Sequence, residues 1–403
     1  MYRRTFIKGG VALVGAASLA HKSFAQAAPS SIRIGYAISL SGPFAPGAES
    51  TSWSQYKLWA KDVNDAGGLY LKKYDKKIPV ELIAYDDKST PDEVIRLMEK
   101  LILNDKVDLV LGPWGTHMNL AVAPIINKYK YPAMFLTATG LQIKKIATRW
   151  PYAFWPLVMP DDSAKPLGTM LASLKKEGKI KGRIAAVHVA EQTGVELHTS
   201  MLEACKANGI EVVYSKSYPI SVSDMSPLIR EAQATNPDGF FCFSYPTDTF
   251  MVTETAQVLG FSPPIFYTGV GTPFPAYKGK FGAKTEGVML WGGWDDKAPG
   301  LAEYRKRHMA MFNRDSETGA AGVYATMQIL QKAVETVGEI DRPKIRDAIA
   351  SGTFQTVAGE WKFKNQLLID PWAAGQWQNG EVVGVLPAHK KNARPIIFPK
   401  PKW

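Results

Sequence analysis

Cysteine is scarce: a chain of 403 residues holds two, Cys205 and Cys242. Two cysteines cannot build a disulfide framework or a Cys-rich zinc or iron–sulfur centre. Long apolar runs are also missing. Residues 9–20 form an apolar stretch of about twelve, well short of the ~20 that a spanning helix needs. With 46% apolar and 21% charged residues, the composition is that of an ordinary globular chain, which excludes a disordered, collagen-like or multi-span membrane protein. Catalytic signatures are absent as well: there is no G-x-S-x-G, H-E-x-x-H, G-x-x-x-x-G-K-[ST] or C-x-x-C. Gly269-Val270-Gly271 lacks the third glycine of a dinucleotide fingerprint. These absences turn the expectation from catalysis toward binding, with no catalytic residue, metal or cofactor.

What is present begins with a targeting signal. Arg3-Arg4-Thr5-Phe6-Ile7-Lys8 resembles the twin-arginine export signal of bacteria. The apolar stretch follows, then Ser23-Phe24-Ala25-Gln26-Ala27, an A-x-A cleavage pattern. Residues 1–27 are therefore expected to be removed, and the mature protein to reside in the periplasm. The signal holds Arg3, Arg4, Lys8 and Lys22 and no acid, so its removal takes the formal charge from +11 to +7. The remaining basic residues are scattered, without an Arg-rich run interleaved with aromatics, and no nucleic-acid partner is expected.

Along the mature chain, strand and helix alternate. Residues 32–40 (IRIGYAISL) form a β-branched, apolar run that breaks at Ser41-Gly42-Pro43, a buried strand and its loop. Trp53, Tyr56, Trp59, Ala60 and Val63 fall at helical spacing, and Gly67-Gly68 end that helix. Strands are expected at 78–85, 107–111 and 131–136. Thr90, Pro91 and Glu93 read as a capping box at a helix start. The rhythm restarts after Pro151-Tyr152, with a helix at 165–176 and strands at 183–189, 211–215, 239–243 and 264–267. Two βα runs imply an α/β fold of two lobes with parallel sheets, or one large doubly wound domain; length and the restart favour two. Later strands are expected at 287–291, 359–363 and 374–383, the last with a turn at Asn379-Gly380. The chain is inferred to return to the first lobe and then to the second: 28–152 plus 290–355, and 153–289 plus 356–403. The Pro/Lys-rich tail 387–403 reads as extended and weakly ordered.

In parallel α/β sheets, ligands bind beyond the carboxyl ends of the strands. The loops after the first, third and fourth strands are the first candidates. The third-strand loop is Gly112-Pro113-Trp114-Gly115-Thr116-His117, leading into a helix whose free amides suit a carboxylate. The fourth is Thr137-Ala138-Thr139-Gly140. Any single threonine there also serves as a helix cap or turn residue. Trp114, Phe154, Trp155, Trp291 and Trp294 lie near strand ends or crossovers, where they pack the core or face an apolar ligand body. His188 and His198 read as core or surface histidines, Asp86 and Asp87 as solvated or capping acids. Cys205 and Cys242 read as small apolar packing residues, able to pair only if near each other.

Ile34-Gly35, Leu40-Ser41-Gly42-Pro43, Asn64-Asp65-Ala66-Gly67-Gly68, Tyr85-Asp86-Asp87 and Val110-Leu111-Gly112 occur in order. His188 with Gly194, Glu286-Gly287-Val288 and Gly375-x-Trp377 follow. Over residues 31–390 this pattern resembles the Leu/Ile/Val-binding family of periplasmic solute receptors. The resemblance implies two Rossmann-like lobes joined by three crossovers, a small-molecule solute clamped between them, and delivery to the membrane permease of an ABC importer. It implies that the Thr116 hydroxyl, with Thr137, Ala138 and Thr139, holds a ligand carboxylate. In the second lobe it points to Tyr245, to Thr193 where many relatives carry an aromatic residue, and to the Gly269 loop. Relatives that bind amino acids carry an acid in that loop to meet the ligand ammonium; Thr268-Gly269-Val270-Gly271-Thr272 has none. A buried ammonium without a counter-charge is costly, and Asp248 is the candidate substitute. The expected ligand is thus a branched-chain amino acid or a related hydrophobic or aromatic acid. A twin-arginine-exported cofactor enzyme and a ligand-sensing module for a membrane receptor are the alternatives.

Overall fold

A computed structural model describes residues 1–2, 27–220 and 222–403. Nearly all of the expected signal, residues 3–26, lies outside them. The remaining chain forms two α/β lobes. The first sheet is parallel, ordered Val80–Asp86, Ile32–Ile38, Leu109–Val110, with a further parallel pair, Ala133–Met134 and Ala153–Phe154, beside it. Residues of the central strand alternate between its two faces, as strand geometry requires. Ile32, Ile34, Tyr36 and Ile38 face one core, packed by the helices Ser54–Asp65, Thr318–Val337 and Arg342–Ser351. Ala37 and Val110 face another, packed by Pro91–Leu103 and Thr116–Lys128.

The second sheet has seven strands, ordered Glu381–Leu386, Ala374–Gln378, Met289–Trp291, Ile265–Thr268, Gly239–Phe243, Arg183–Val189, Glu211–Tyr218. The last five are parallel, and the two C-terminal strands add antiparallel at one edge. Asn379 and Gly380 both take positive φ, 53° and 74°, the pattern of the type I′ turn that twists with its strands. Here too the faces alternate: Ile184, Ala186 and Phe241 meet one helical layer, Ala185, Val187 and Phe240 the other.

Several local expectations change. Residues 131–136 keep only Ala133–Met134 as strand. The helix expected from 165 starts at Pro160, where proline suits the first turn. Thr90 caps through its backbone only; its hydroxyl donates to Asp87 O, and Glu93 pairs with Arg96. The hairpin Thr353–Thr356 and Gly359–Lys364 packs with the first lobe, through Phe354, Trp361 and Phe363, where the sequence leads one to expect residues from 356 in the second. Phe363 meets Phe154 edge-on at 5.3 Å; apolar contact of this kind outweighs sequence proximity to the strands that follow. The tail is anchored, not loose. Ile396 and Phe398 pack on the second lobe, Lys400 is buried, and the Trp403 indole N–H donates to Phe261 O at 2.6 Å. Cys205 and Cys242 are free and buried in separate cores. The His188 and His198 rings stack at 4.1 Å.

Candidate functional site

The chain crosses between lobes near residues 156–160, 291–294 and 369–372, and the space enclosed there is a cavity of about 670 Å³. Its polar end is built from two first-lobe loops. Gly115 turns the chain with φ of +97°, a left-handed geometry that glycine adopts freely. Asn119 Nδ2 donates to Gly115 O (2.8 Å) and Pro113 O (3.0 Å), fixing the loop. The Thr137 hydroxyl accepts from Gly115 N and donates to Pro113 O, both at 3.1 Å, tying the two loops together. Thr116 Oγ1 then sits against Thr139: it accepts from Thr139 N and donates to Thr139 O, each at 3.2 Å. Thr193 reaches across from the second lobe and donates to Thr116 Oγ1, also at 3.2 Å. Bonds at the long end of the range are weak, and a ligand oxygen can replace them. The Thr139 hydroxyl is engaged with Val158 O at 2.7 Å.

The second lobe orients its part through Glu191, which caps the helix Gln192–Ala207. Its Oε2 accepts from Thr193 N (3.1 Å) and from the Tyr245 hydroxyl (2.8 Å). Burial first, and then the charge of Glu191, pushes the Tyr245 hydroxyl pKa upward and keeps it a donor. The Tyr245 ring stands 6.4 Å from both Trp114 and Phe44 of the first lobe. Further contacts cross the gap on this side. Leu141 N donates to Glu196 Oε2 at 2.7 Å, and His117 Nδ1 lies 3.8 Å from Glu191 Oε1. Burial lowers the His117 pKa, with Glu191 opposing. The lobes are thus drawn together at the polar end.

Six expected residues line the cavity together: Trp114, Thr116, Thr137, Thr139, Thr193 and Tyr245. Ala138 and Gly269, expected beside them, lie behind its wall. Ala138 packs in the outer core of the first lobe. Gly269 is pressed on Ser244, whose oxygen would lie 2.5 Å from an added Cβ, and Val270 takes the wall position. Asp248 supplies no counter-charge to the cavity. It is buried, bonded to the Tyr218 hydroxyl at 2.5 Å and to Tyr245 N at 3.1 Å.

Sequence reasoning missed Glu317, Phe274, Trp361 and Trp372, all on the wall. Glu317 caps the helix Thr318–Val337, accepting from Gly319 N and Ala320 N, both at 2.6 Å. Only 3% exposed, its carboxyl is pushed up to about 7 by burial. An acid before a helical run is a readable capping signal; that it would face a cavity is not. The tryptophans carry no local signal, because hinge segments far apart in sequence bring them together. Hydroxyls and amides at one end and rings around the rest can hold an anionic group on an apolar body.

The profile described as periplasmic binding protein matches residues 31–381. The sequence is 22% identical over 377 residues to the Leu/Ile/Val-binding protein homolog 4 of Brucella melitensis, covering 91% of this chain and 87% of that one. Its fold matches a branched-chain amino acid transporter substrate binding protein of Streptococcus pneumoniae in complex with isoleucine, with TM-score 0.74 and 19% identity over 87% of this chain and 97% of that one. It equally matches a solute binding protein of an ABC transporter from Rhodopseudomonas palustris in complex with 3,4-dihydroxy benzoic acid, with TM-score 0.74 and 18% identity over 93% and 99% of the two chains. The chain belongs to the periplasmic binding protein family.

Proposed function

We propose that this periplasmic binding protein is the receptor of an ABC importer for a small carboxylate-bearing solute with a hydrophobic or aromatic body. The observation that carries the reading is the meeting of Thr116 Oγ1 and Thr139 N at the free end of the helix Thr116–Lys128, with Thr193 closing from the other lobe. A carboxylate placed there gains hydroxyl and amide donors and the positive end of a helix. The rings of Trp114 and Tyr245 would cover the body behind it. Ligand favours the closed arrangement of the lobes, and the closed form docks on a membrane permease. The Gly269 loop has no acid and Asp248 is engaged elsewhere, so an ammonium group would have to be met by another acid of the wall, of which Glu317 is the buried one. A branched-chain amino acid is the second reading, supported by what the named relatives bind.

The test is calorimetry of the mature chain, stripped by unfolding and refolding, with leucine and with benzoate. Thr116→Ala should weaken whichever ligand binds by about tenfold, the loss of one or two hydrogen bonds to a charged group. Undiminished affinity would remove the carboxylate assignment. Binding of leucine alone would select the second reading.

A further inference from the structure

The cavity of about 670 Å³ is lined by many residues besides those of the polar end. That volume lies within the ~300–1,000 Å³ typical of sites for drug-sized ligands, and an amino acid or a single-ring acid would leave much of it empty. The far end is different in character. Trp291 and Trp294 come from the second crossover, Trp372 from the third, and Trp361 from the hairpin before it.

Three of these rings are held in place without a ligand. Trp294 Nε1 donates to Val382 O at 2.6 Å. Trp372 lies so close on the Gly384 backbone that an added Cβ there would come within 2.6 Å of the ring. Lys390 Nζ stands 5.1 Å from the centre of the Trp372 ring. Trp361 is anchored in the first core. Pre-positioned rings lose little freedom when a ligand arrives, which favours affinity. Some of the charged groups beside them are already paired, and Lys297 and Lys391, which also line the cavity, are exposed to solvent. Lys390 bonds Asp370 at 3.0 Å, and Asn392 bonds both Asp295 oxygens at 3.1 and 3.0 Å. This end therefore offers rings, with its solvent-exposed lysines at the edge.

We propose that the hinge end is a second subsite, which takes a second ring or long apolar arm of the ligand, remote from its carboxylate. The proposal rests on the carboxylate reading above and narrows it to elongated aromatic or aryl-alkyl acids. A ligand of that form would touch the second and third crossovers directly.

The experiment is calorimetry with benzoate, 3-phenylpropionate and biphenyl-4-carboxylate on the wild type, Trp372→Ala and Thr116→Ala, each variant checked for a cooperative thermal transition. Trp372→Phe, which keeps a ring, replaces the alanine variant if that one does not fold. The wild type should bind the biphenyl acid about tenfold or more tighter than benzoate, as the burial of a further ring predicts. Trp372→Ala should remove most of that gain and leave benzoate within about twofold, and Trp372→Phe should retain part of it. Thr116→Ala should weaken all three acids by a common factor. No gain with length, or an equal loss for short and long acids in Trp372→Ala, overturns the subsite and leaves the rings as hinge packing. A gain with length in the wild type, with the affinities of all three acids unchanged in Thr116→Ala, sustains the subsite and overturns the carboxylate assignment. If no acid binds, the carboxylate reading fails, and 2-naphthol becomes the probe. Saturable quenching of tryptophan emission that weakens in Trp372→Ala then sustains the subsite, and its absence overturns it.

Discussion

Glu196→Ala should weaken the binding of every ligand by the same factor. Glu196 stands on the second-lobe helix Gln192–Ala207 and accepts the Leu141 amide of the first lobe at 2.7 Å. Leu141 opens the helix Leu141–Ile146, so its N–H has no partner within that helix. A hydrogen bond to a charged group contributes about 1.5–3 kcal/mol. Glu196 is half-buried, and water takes up the amide when the lobes part, so the lower end applies, about 1–2 kcal/mol. That free energy belongs to closure, not to any ligand contact. Where the empty protein is mostly open, apparent affinity falls in proportion to the closed fraction, here by about 5- to 30-fold. Glu196→Gln keeps an acceptor and loses the charge, so its effect should be roughly half as large in free energy. Calorimetry with two ligands of different body gives the factor. Small-angle scattering of the empty protein should show a larger radius of gyration in the alanine variant if the wild type is partly closed. An unchanged Kd, or a changed ratio between the two ligands, would refute the reasoning.

Glu317 gives a pH signature. Burial raises its folded pKa from 4.5 to about 7, so between those values the folded protein binds the extra proton, and the stability linked to this group falls as pH rises. Relative to Glu317→Gln, the wild type should lose up to about 3 kcal/mol from pH 4.5 to pH 8; thermal unfolding of both at pH 5 and pH 8 reads it, and a constant difference would contradict the assignment. Cys205 and Cys242, whose thiols burial pushes up to about 12, should resist a disulfide-exchange reagent until denaturant is added, and a reductant should leave the Tm unchanged. Deleting residues 395–403 should lower stability by about 2 kcal/mol or more, through loss of the Trp403–Phe261 bond and the Trp403–Phe266 contact at 5.1 Å. A Tm equal to that of the full chain would show the tail to be dispensable.

The alternation of strand and helix was legible because the local signals agree with the fold. Ile32–Ile38 is β-branched and buried on both faces, and the Asn379-Gly380 turn has the residues its dihedral angles demand. The likeness to Leu/Ile/Val-binding receptors rested on short motifs in order, and the family match bears it out. The threonines at the polar end were legible for a topological reason, since they follow parallel strands. The rest depends on tertiary contact. Nothing near Trp361 or Phe363 says which lobe they will pack against. A loop reads as a unit in sequence, which places Ala138 with its threonine neighbours, yet Ala138 packs into the core. The tail was judged by its proline and lysine content, whereas Trp403 and the stem of Lys400 find apolar ground on the second sheet.

Neither lobe is a continuous piece of chain. The first core draws on residues from Ile32 to Phe363, and the second sheet is complete only when Glu381–Leu386 has joined its edge. Synthesis therefore has to pass residue 363 before the first core can close, and residue 386 before the second sheet can. The usual order, an N-terminal unit folding while the rest is still being made, is denied to this protein. The outer face of the first sheet can pack early, on residues 37–159, while the inner face and the edge of the second sheet wait for the C-terminal segments. A chain truncated within the 364–386 stretch keeps the residues of the first core but should be a poor folder in the second lobe, whose sheet then lacks its edge strand.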